Sequence, residues 1–338
     1  MYDTKMLAAD ADGIAEAAEL LKAGEVVGMP TETVYGLAAN ALDPEAVKKI
    51  FIAKGRPQDN PLIVHICDID MLGQLVKDIP EAAYRCAEAF WPGPLTMILP
   101  KRDIIPDVTS AGLATAGIRM PSNKTARALI KAAGFPLAAP SANLSGSPSP
   151  TTAQHVFKDM NGRIPCIIDD GSCAVGVEST VIAFERDGVR LLRPGFISVE
   201  DLRELFDNVI VDKGVTEEVA ANAVVASPGM KYKHYAPKAD ITIIDGTQEQ
   251  FREYCKAHSG GELMLMVFDR SDAEGLGIEY IEYGADGEAQ ARLLFDTLRR
   301  LDELGAKRVY ARCPDRSGVG LAVYNRLLRA AGFQVIRL

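Results

Sequence analysis

The chain has 338 residues, of which 48% are hydrophobic and 25% are charged, and its formal net charge is −9. The length suggests two domains of an ordinary soluble globular protein, and the acidic balance argues against an overall basic surface for nucleic acid. The six cysteines include no C-x-x-C pair and the four histidines are far apart. We therefore predict reduced thiols, no zinc site and a cytoplasmic location. The sequence has neither a signal-peptide pattern nor an apolar run of membrane-spanning length, so no membrane contact is expected.

The first 206 residues alternate irregularly between strand and helix patterns. In chain order, the patterns predict a helix at 12–23, a strand at 26–29, a helix at 44–54, a strand at 62–66, a helix at 80–90, strands at 95–99 and 117–120, a helix at 123–133, a strand at 137–139, a helix at 152–160, strands at 166–169, 179–184 and 189–192, and a helix from Ser198 to residue 206. The mixture is neither a βαβ repeat nor an antiparallel meander. It predicts an open, twisted mixed sheet with helices packed on it.

The pattern changes from about residue 207. Residues 214–226 contain no aromatic side chain and are predicted to be weakly structured, and residues 227–237 combine prolines with basic and aromatic residues in an extended segment. Strands then follow at 241–244, 263–268, 278–283, 308–311 and 333–337, with helices at 247–258, 286–304 and 319–331. Alternating strands and helices predict a small, mainly parallel α/β domain.

A Lys-Gly-Arg-Pro stretch lies at the end of the predicted helix at 44–54. The sequence has no P-loop and no G-x-G-x-x-G after its first strand, so a nucleotide site would have to be of another kind. Taken alone, Lys54 and Arg56 complement a helix C-terminus. However, Asn60-Pro61 leads directly into the strand that contains His65, which places these side chains around one turn. Lysine and arginine together suit a polyphosphate.

Other candidates lie at strand ends. Arg119 follows apolar residues in a predicted strand, and a buried arginine is costly unless it meets an anion. Arg193 ends an apolar strand before Pro-Gly and is predicted to point into a cleft. The loop Ser141-Ala142-Asn143 can offer hydroxyl and N–H groups to phosphate, or it is an ordinary loop. His65 alone is better explained as a core histidine.

The sequence contains no G-x-S-x-G elbow, no recognisable nucleophile–base pair and no carboxylate pair at useful spacing. These absences favour chemistry by positioning and electrostatic stabilisation of phosphate, without a covalent enzyme intermediate.

Several separated motifs together resemble one family. The motifs are P-T-E-T-V-Y-G-L at 30–37, Lys54-Gly55-Arg56, Ser141-Ala142-Asn143 and S-P-G-M-K-Y-K-H-Y-A-P at 227–237. They occur in the order found in the YrdC/Sua5 family, and the resemblance to the longer, Sua5-type members covers essentially the whole chain. It implies a YrdC-like catalytic domain at 1–206, a linker that forms a lid over the active site at 207–239, and a Rossmann-like α/β domain at 240–338.

The resemblance implies an L-threonylcarbamoyladenylate synthase, a nucleotidyltransferase of tRNA processing. Such an enzyme converts L-threonine, bicarbonate or CO2 and ATP to threonylcarbamoyl-AMP and pyrophosphate. A separate threonylcarbamoyl transferase then uses the product to make threonylcarbamoyladenosine in tRNA, and a weak contact with tRNA is possible for the synthase itself. Mg²⁺ is expected to accompany ATP, without a metal site built from protein side chains.

The resemblance also implies roles for thirteen residues. The catalytic residues would be Lys54 and Arg56. The residues that bind ATP would be Lys54, Arg56 and Asn60 on the phosphates, Thr115, Ser141, Asn143, Ser149 and Arg193 on the rest of the nucleotide, and Tyr235 as part of a lid formed by Lys231–Tyr235. The residues that bind L-threonine would be Thr33, His65, Ser179 and Arg119, with Arg119 on the carboxylate.

Two other functions are compatible with parts of the sequence. An RNA-binding or ribosome-assembly module could use a basic concave surface, although the net charge of −9 opposes a large RNA footprint. Another carbamoyl-adenylate enzyme on the same fold, as in hydrogenase maturation, would carry zinc-finger or acylphosphatase-like segments, which this sequence lacks.

Overall fold

The computed structural model describes residues 2–58, 60–217 and 235–338. Within these residues the strands form two sheets, one of eleven strands and one of five. The strands of the large sheet are β1 (Lys5–Ala8), β2 (Val27–Met29), β3 (Gly36–Asn40), β4 (Ile63–His65), β5 (Leu95–Pro100), β6 (Thr115–Arg119), β7 (Leu137–Ala138), β8 (Cys166–Asp169), β9 (Thr180–Glu185), β10 (Gly188–Arg193) and β11 (Val209–Val211).

The helices of this first part lie between these strands. They are α1 (Ala11–Lys22), α2 (Pro44–Lys54), α3 (Leu72–Leu75), α4 (Glu81–Phe90), α5 (Asp107–Ser110), α6 (Lys124–Ala133), α7 (Ala153–Met160) and α8 (Val199–Leu205), with short 3-10 turns at Ile69–Met71 and Lys213–Val215. Helix α2 has strong local signals at both ends. The Asp43 side chain accepts from the first backbone N–H groups, Pro44 begins the helix, and Gly55 ends it at φ 61°.

The large sheet is mixed, as predicted. Its strand order is β1-β8-β2-β3-β7-β4-β6-β5-β9-β10-β11. For example, β4 pairs in parallel with β6 and antiparallel with β7. Side chains alternate between the two faces of each strand. Hence Ile167 of β8 belongs to the core on one face, whereas its neighbours Cys166 and Ile168 belong to the core on the other.

The second sheet is formed by the last part of the chain, in the order β14-β13-β15-β12-β16. Its strands are β12 (Asp240–Asp245), β13 (Leu263–Val267), β14 (Glu279–Glu282), β15 (Arg308–Arg312) and β16 (Val335–Arg337), and its helices are α9 (Gln248–Ala257), α10 (Gly287–Glu303) and α11 (Gly320–Ala330), with a 3-10 turn at Arg270–Asp272. Every pairing between these strands in the described residues is parallel. The α/β class with a mixed sheet and a second, parallel sheet is therefore confirmed.

Most predicted elements are present, with ends within a few residues. Three strands were not predicted as such: β1, β3 and β11. Strand β11 lies in the segment 207–239 that the resemblance assigns to a linker, and it pairs with β10 of the large sheet. Most of the extended segment at 227–237 lies outside the described residues. Among the described helices, none is both long enough and apolar enough to cross a membrane.

The two parts of the chain pack through a shared apolar cluster. Val34 and Val177 from the first part join a core that otherwise belongs to the second sheet and helices α10 and α11. Gly176 permits this approach: its φ is +85°, and a Cβ atom there would lie 2.4 Å from the Cα of Arg292 in α10. A residue with a side chain at this position would therefore strain the backbone and would also clash with the main chain of α10.

We predict that Gly176→Ala destabilises the protein more than Gly171→Ala. Gly171 has a similar φ of +74° but no atom within 4 Å of its Cβ position, so it serves as the control for backbone strain. The control should lower the free energy of unfolding by about 1–2 kcal/mol, and Gly176→Ala by about 1–3 kcal/mol more because α10 must shift. Urea unfolding of both variants measures the difference. An equal decrease in the free energy of unfolding in the two variants would contradict the close approach of Gly176 to α10.

Candidate active site

A cleft lies where several strands of the large sheet end. His65, Arg119 and Arg193, which line it, are the last residues of β4, β6 and β10. Lys54 and Arg56 enter from the end of α2, and a loop at 139–147 completes one wall. Crevices outside strand ends are where ligands bind in open α/β sheets.

His65 and Arg119 lie side by side at one end of the cleft. They are paired in the parallel register of β4 and β6, and they are only 3% and 4% exposed. Burial and the positive charge of Arg119 lower the pKa of His65 to about 3, so the imidazole is neutral at neutral pH. Within the described residues, His65 Nδ1 and Arg119 Nε have no hydrogen-bond partner. Buried polar atoms of this kind mark a place for a ligand.

A short turn before β3 contributes a carboxylate, Glu32, that pairs with Arg119. The Glu32 carboxylate lies 2.7 Å from Arg119 Nη2, although neither Glu32 oxygen has a hydrogen-bond partner of good geometry among the described residues. Thr31 Oγ1 donates to the carbonyl oxygen of Val34 and lies 2.9 Å from Thr33 Oγ1. These bonds hold Thr33, which is fully buried, at the cleft wall.

Lys54 connects helix α2 to the loop at 139–147. Its Nζ donates to the carbonyl oxygens of Ser141 and Asn143, the latter at 2.8 Å, and its own carbonyl oxygen accepts from the backbone N–H of Ser145. Burial, followed by the positive charge of Arg56, holds the pKa of Lys54 well below its usual value. The lysine therefore orders the loop that the sequence suggested as a phosphate-binding element.

Ser179 and Arg193 form a second polar wall. Arg193 donates from Nε to the Ser179 carbonyl oxygen and from Nη2 to Ser179 Oγ, both at 3.0 Å. The Thr96 hydroxyl lies 2.8 Å from the same Ser179 Oγ. Burial and the charge of Arg326 lower the pKa of Arg193 to about 10, so Arg193 remains cationic at neutral pH.

Glu178 is a carboxylate among the cations of the cleft. Its Oε1 accepts from Ser149 Oγ at 2.6 Å, and its Oε2 accepts from Arg326 Nε at 2.9 Å. Burial alone would raise the pKa of Glu178, but the charges of Arg326 and Arg193 and these hydrogen bonds offset burial and lower it. Glu178 is therefore ionised and paired with an arginine from α11 of the second domain.

Tyr235 is the described end of the predicted lid, and residues 231–234 lie outside the described part of the chain. Tyr235 lines the cleft, and its ring centroid is 5.2 Å from that of Phe295 in α10. The next residue, Ala236, donates its backbone N–H to the carbonyl oxygen of Gly146 at 3.0 Å. The chain therefore returns from the undescribed segment directly at the cleft, between the loop at 139–147 and the second domain.

Ten of the thirteen predicted residues line this one cleft. They are Thr33, Lys54, Arg56, His65, Arg119, Ser141, Asn143, Ser179, Arg193 and Tyr235. Ser149 contacts the cleft through Glu178, and Asn60 is buried beside the lining residue Pro61. Thr115 begins β6, four residues and about 13 Å along the strand from Arg119. The placement brings the residues together, while their individual roles stay predictions.

Three charged residues of the site, Glu32, Glu178 and Arg326, were not among the predicted site residues. Glu178 stands next to Ser179, but a single carboxylate beside a strand carries no signal of its own. Arg326 is one of several arginines in an ordinary helical pattern. Its contact with Glu178 spans 148 positions of sequence, so only the packed structure can identify it.

The described residues do not fit a metal site built from protein side chains. No group of three His, Cys, Asp or Glu residues gathers anywhere in the described part of the chain. Glu178, the carboxylate of the cleft lining, is committed to Arg326 and Ser149.

The fold and the cleft together define a class of protein. A mixed α/β sheet carries, at its strand ends, four cationic side chains around a polar loop of small residues. Such a site suits ligands with anionic groups, which it can position and whose charge it can stabilise.

Comparison with known proteins identifies the family. Residues 19–195 match the model of Sua5, YciO and YrdC proteins described as "Telomere recombination", and residues 197–332 match the model described as "Threonylcarbamoyl-AMP synthase, C-terminal domain". A threonylcarbamoyl-AMP synthase of Bacillus subtilis is 47% identical, over 96% of this chain and 94% of the relative. One of Pyrococcus abyssi is 43% identical, over 95% of both chains.

A solved structure is similar along the whole chain. The crystal structure of Pyrococcus abyssi Sua5 complexed with L-threonine has a TM-score of 0.93 and 41% identity, and it covers 99% of this chain and 100% of its own. The chain therefore belongs to the Sua5-type threonylcarbamoyl-AMP synthases of the YrdC/Sua5 family, which are enzymes of the nucleotidyltransferase type. The family resemblance found in the sequence is confirmed.

We predict that His65 makes the protein less stable in acid. The unfolded chain takes up a proton on this side chain near pH 6.5, whereas folded His65 does so only near pH 3. Protonation between these values therefore favours unfolding, and stability falls by up to about 1.4 kcal/mol per pH unit as pH decreases. In His65→Gln, this fall should be shallower between pH 6.5 and 4.

Urea unfolding at a series of pH values measures the slope. His258→Gln, at an exposed histidine, is the matched control and should keep the slope of the wild type. A slope unchanged in His65→Gln would show that His65 is not buried in a neutral form.

Proposed function

We propose that the cleft binds L-threonine at its His65–Arg119 end and ATP around Lys54, Arg56 and Arg193, and that it joins them as threonylcarbamoyl-AMP. The observation that carries the proposal is that two buried groups with unpaired nitrogen atoms, His65 and Arg119, share one cleft with these three cations. An amino acid presents a carboxylate and ATP presents a polyphosphate, so the two ligands bring two separate anionic groups that these two ends can bind.

The reaction has two steps that such a cleft can promote by positioning. The threonine amine attacks CO2, or bicarbonate with loss of water, and forms a carbamate once a proton leaves the nitrogen. A carbamate oxygen then attacks the α-phosphorus of ATP, and the bond from that phosphorus to the bridging oxygen of pyrophosphate breaks. Both reactants are anions in the second step, so fixed cations reduce their repulsion and stabilise the charge that develops.

On the threonine side, Arg119 is suited to the carboxylate. A guanidinium group binds a carboxylate through two parallel hydrogen bonds, and Glu32, which does not line the cleft, forms an ion pair with Arg119. Neutral His65 and the hydroxyl groups of Thr33 and Ser179 can donate or accept around the remaining polar atoms of the amino acid. The Pyrococcus abyssi relative, solved with L-threonine, supports this substrate.

On the nucleotide side, Lys54 is proposed to have a structural role and an electrostatic role. It holds the loop at 139–147 by its bonds to main-chain carbonyl oxygens. Burial and Arg56 lower the pKa of Lys54, but bound phosphates would favour its charged form, whose charge then adds to that of Arg56. Ser141 and Asn143 lie in the same loop and are proposed to contact the nucleotide. The remaining proposed ATP-binding residues are Asn60, Thr115 and Ser149, which do not line the cleft.

Tyr235 is proposed to close the cleft over the nucleotide, together with the segment before it. It lines the cleft and packs on the second domain, which is the position that a lid requires. A closed lid excludes the water that would hydrolyse a carbamate or an adenylate.

Four further expectations stay predictions. They are Mg²⁺ accompanying ATP, transfer of the product to a threonylcarbamoyl transferase, a weak contact with tRNA, and a cytoplasmic location. Because the described residues do not form a metal site, the ion would be held by phosphate oxygens, and no step is assigned to it.

The direct test is release of pyrophosphate from ATP and bicarbonate in the presence of each amino acid in turn. We predict release that depends on bicarbonate and is selective for L-threonine, with L-serine as the closest competitor because it lacks one methyl group. Loss of one methyl group in a fitted pocket reduces kcat/KM by roughly 10- to 200-fold. Equal rates with all amino acids, or release without any, would contradict the proposal.

We predict that Arg119→Met raises the KM for L-threonine by at least about tenfold, since a charge-assisted hydrogen bond contributes about 1.5–3 kcal/mol. The KM for ATP should change much less. Because this variant leaves Glu32 buried without its cation, the double variant Glu32→Gln/Arg119→Met is the charge-balanced partner. It should recover stability but not threonine affinity, and recovery of both would contradict the assignment.

A further inference from the structure

Arg326 brings a positive charge from the second domain to the back of the cleft. It lies in the middle of α11 and is fully buried, at 0% exposure. Its Nε donates to Glu178 Oε2 at 2.9 Å, its Nη1 donates to the carbonyl oxygen of Pro194, and its Nη2 donates to the carbonyl oxygen of Glu178 at 3.3 Å. One guanidinium group thus holds two separate segments of the first domain.

Both segments belong to the cleft wall. Glu178 lines the cleft and precedes Ser179, while Pro194 follows Arg193. Arg193 in turn donates to Ser179. Arg326 therefore fixes the relative position of the Glu178–Ser179 and Arg193–Pro194 segments, which carry residues proposed for both substrates.

The same contact sets the direction of a hydroxyl group. Glu178 accepts from Ser149 Oγ through the carboxylate oxygen that Arg326 does not hold. Because an ionised carboxylate only accepts, the Ser149 hydrogen points to Glu178, and this bond fixes the orientation of the Ser149 hydroxyl group. If Glu178 rotated, Ser149 would lose this orientation.

A lone carboxylate at this place would also oppose the substrates. Glu178 lines a cleft proposed to bind phosphates and a carbamate, and like charges at close range repel each other. Pairing with Arg326 offsets the negative charge of Glu178.

A second buried ion pair across the domain boundary provides the comparison. Arg299 of α10 donates from Nη2 to Asp159 Oδ2 at 2.7 Å and to the carbonyl oxygen of Pro148 at 2.6 Å. Its side chain is 7% exposed. Asp159 and Arg299 resemble Glu178 and Arg326 in burial and in joining the two domains, but neither lines the cleft.

We propose that Arg326 is a positioning residue of the reaction: it holds Glu178, and through it Ser149 and Ser179, in the geometry that binds the nucleotide and threonine. The second domain then supplies part of the active site as well as packing beside the lid. This inference rests on the proposed function.

The test compares Arg326→Gln with Arg299→Gln in the full-length chain, by the kinetics of pyrophosphate release. Both variants lose one buried interdomain ion pair. We expect Arg326→Gln to raise the KM for ATP by about tenfold, the effect of one misplaced charge-assisted contact, and to lower kcat as well. Arg299→Gln should raise the KM for ATP much less than Arg326→Gln, because Asp159 and Pro148, which Arg299 holds, do not line the cleft, although Pro148 adjoins Ser149. The KM for ATP of Arg326→Lys, which keeps the charge, should lie between those of Arg326→Gln and the wild type.

The outcomes separate the possible failures. A wild-type chain without threonine-dependent release would overturn the proposed function, and the inference with it. An active wild type in which Arg326→Gln and Arg299→Gln have the same kinetics would overturn the inference alone. If Arg326→Gln does not fold, the charge-balanced Glu178→Gln/Arg326→Gln variant replaces it: a raised KM for ATP in the folded double variant supports positioning, and a wild-type KM contradicts it.

Discussion

Positive charge buried at the edge of the large sheet is the constraint on which the rest of the site depends. Lys54, Arg119 and Arg193 are each at most 7% exposed, and an unpartnered ion so far from water would cost several kcal/mol. Each therefore has partners: main-chain carbonyl oxygens for Lys54, Glu32 for Arg119, and Ser179 for Arg193. Because these partners lie in loops, the cations order the loops that form the walls of the cleft.

The second domain contributes to the same electrostatic arrangement. Helix α11 is buried along most of its length and directs Arg326 at Glu178, while Arg329 donates to the carbonyl oxygen of Gly214, shortly before the undescribed segment. Asn325 donates to the neighbouring carbonyl oxygen of Val215. One helix of the small domain thus contacts both the wall of the cleft and the start of the segment predicted as its lid. A shift of this helix would therefore displace residues that are proposed to bind the substrates.

Local signals explain what the sequence could predict. Helix α2 was predicted with correct bounds because its cap, its first proline and its final glycine act within one turn. Strand β3, Gly-Leu-Ala-Ala-Asn, was missed because it has no β-branched residue, and its pairing with neighbouring strands determines its conformation. Arg119 and Arg193 were found because arginine in an apolar strand is unusual, and Lys54 and Arg56 were found through the family motif. Arg326 has a helical context in which arginine is common, and its partner is distant in sequence.

We propose that one cleft, shared by both domains, holds threonine and the nucleotide together. A crystal structure of the chain with L-threonine and a non-hydrolysable ATP analogue would show whether it does. We expect the threonine carboxylate within hydrogen-bond distance of the Arg119 guanidinium group and the triphosphate beside Lys54 and Arg56, with Arg326 still paired to Glu178. Threonine or triphosphate bound away from these side chains would contradict it.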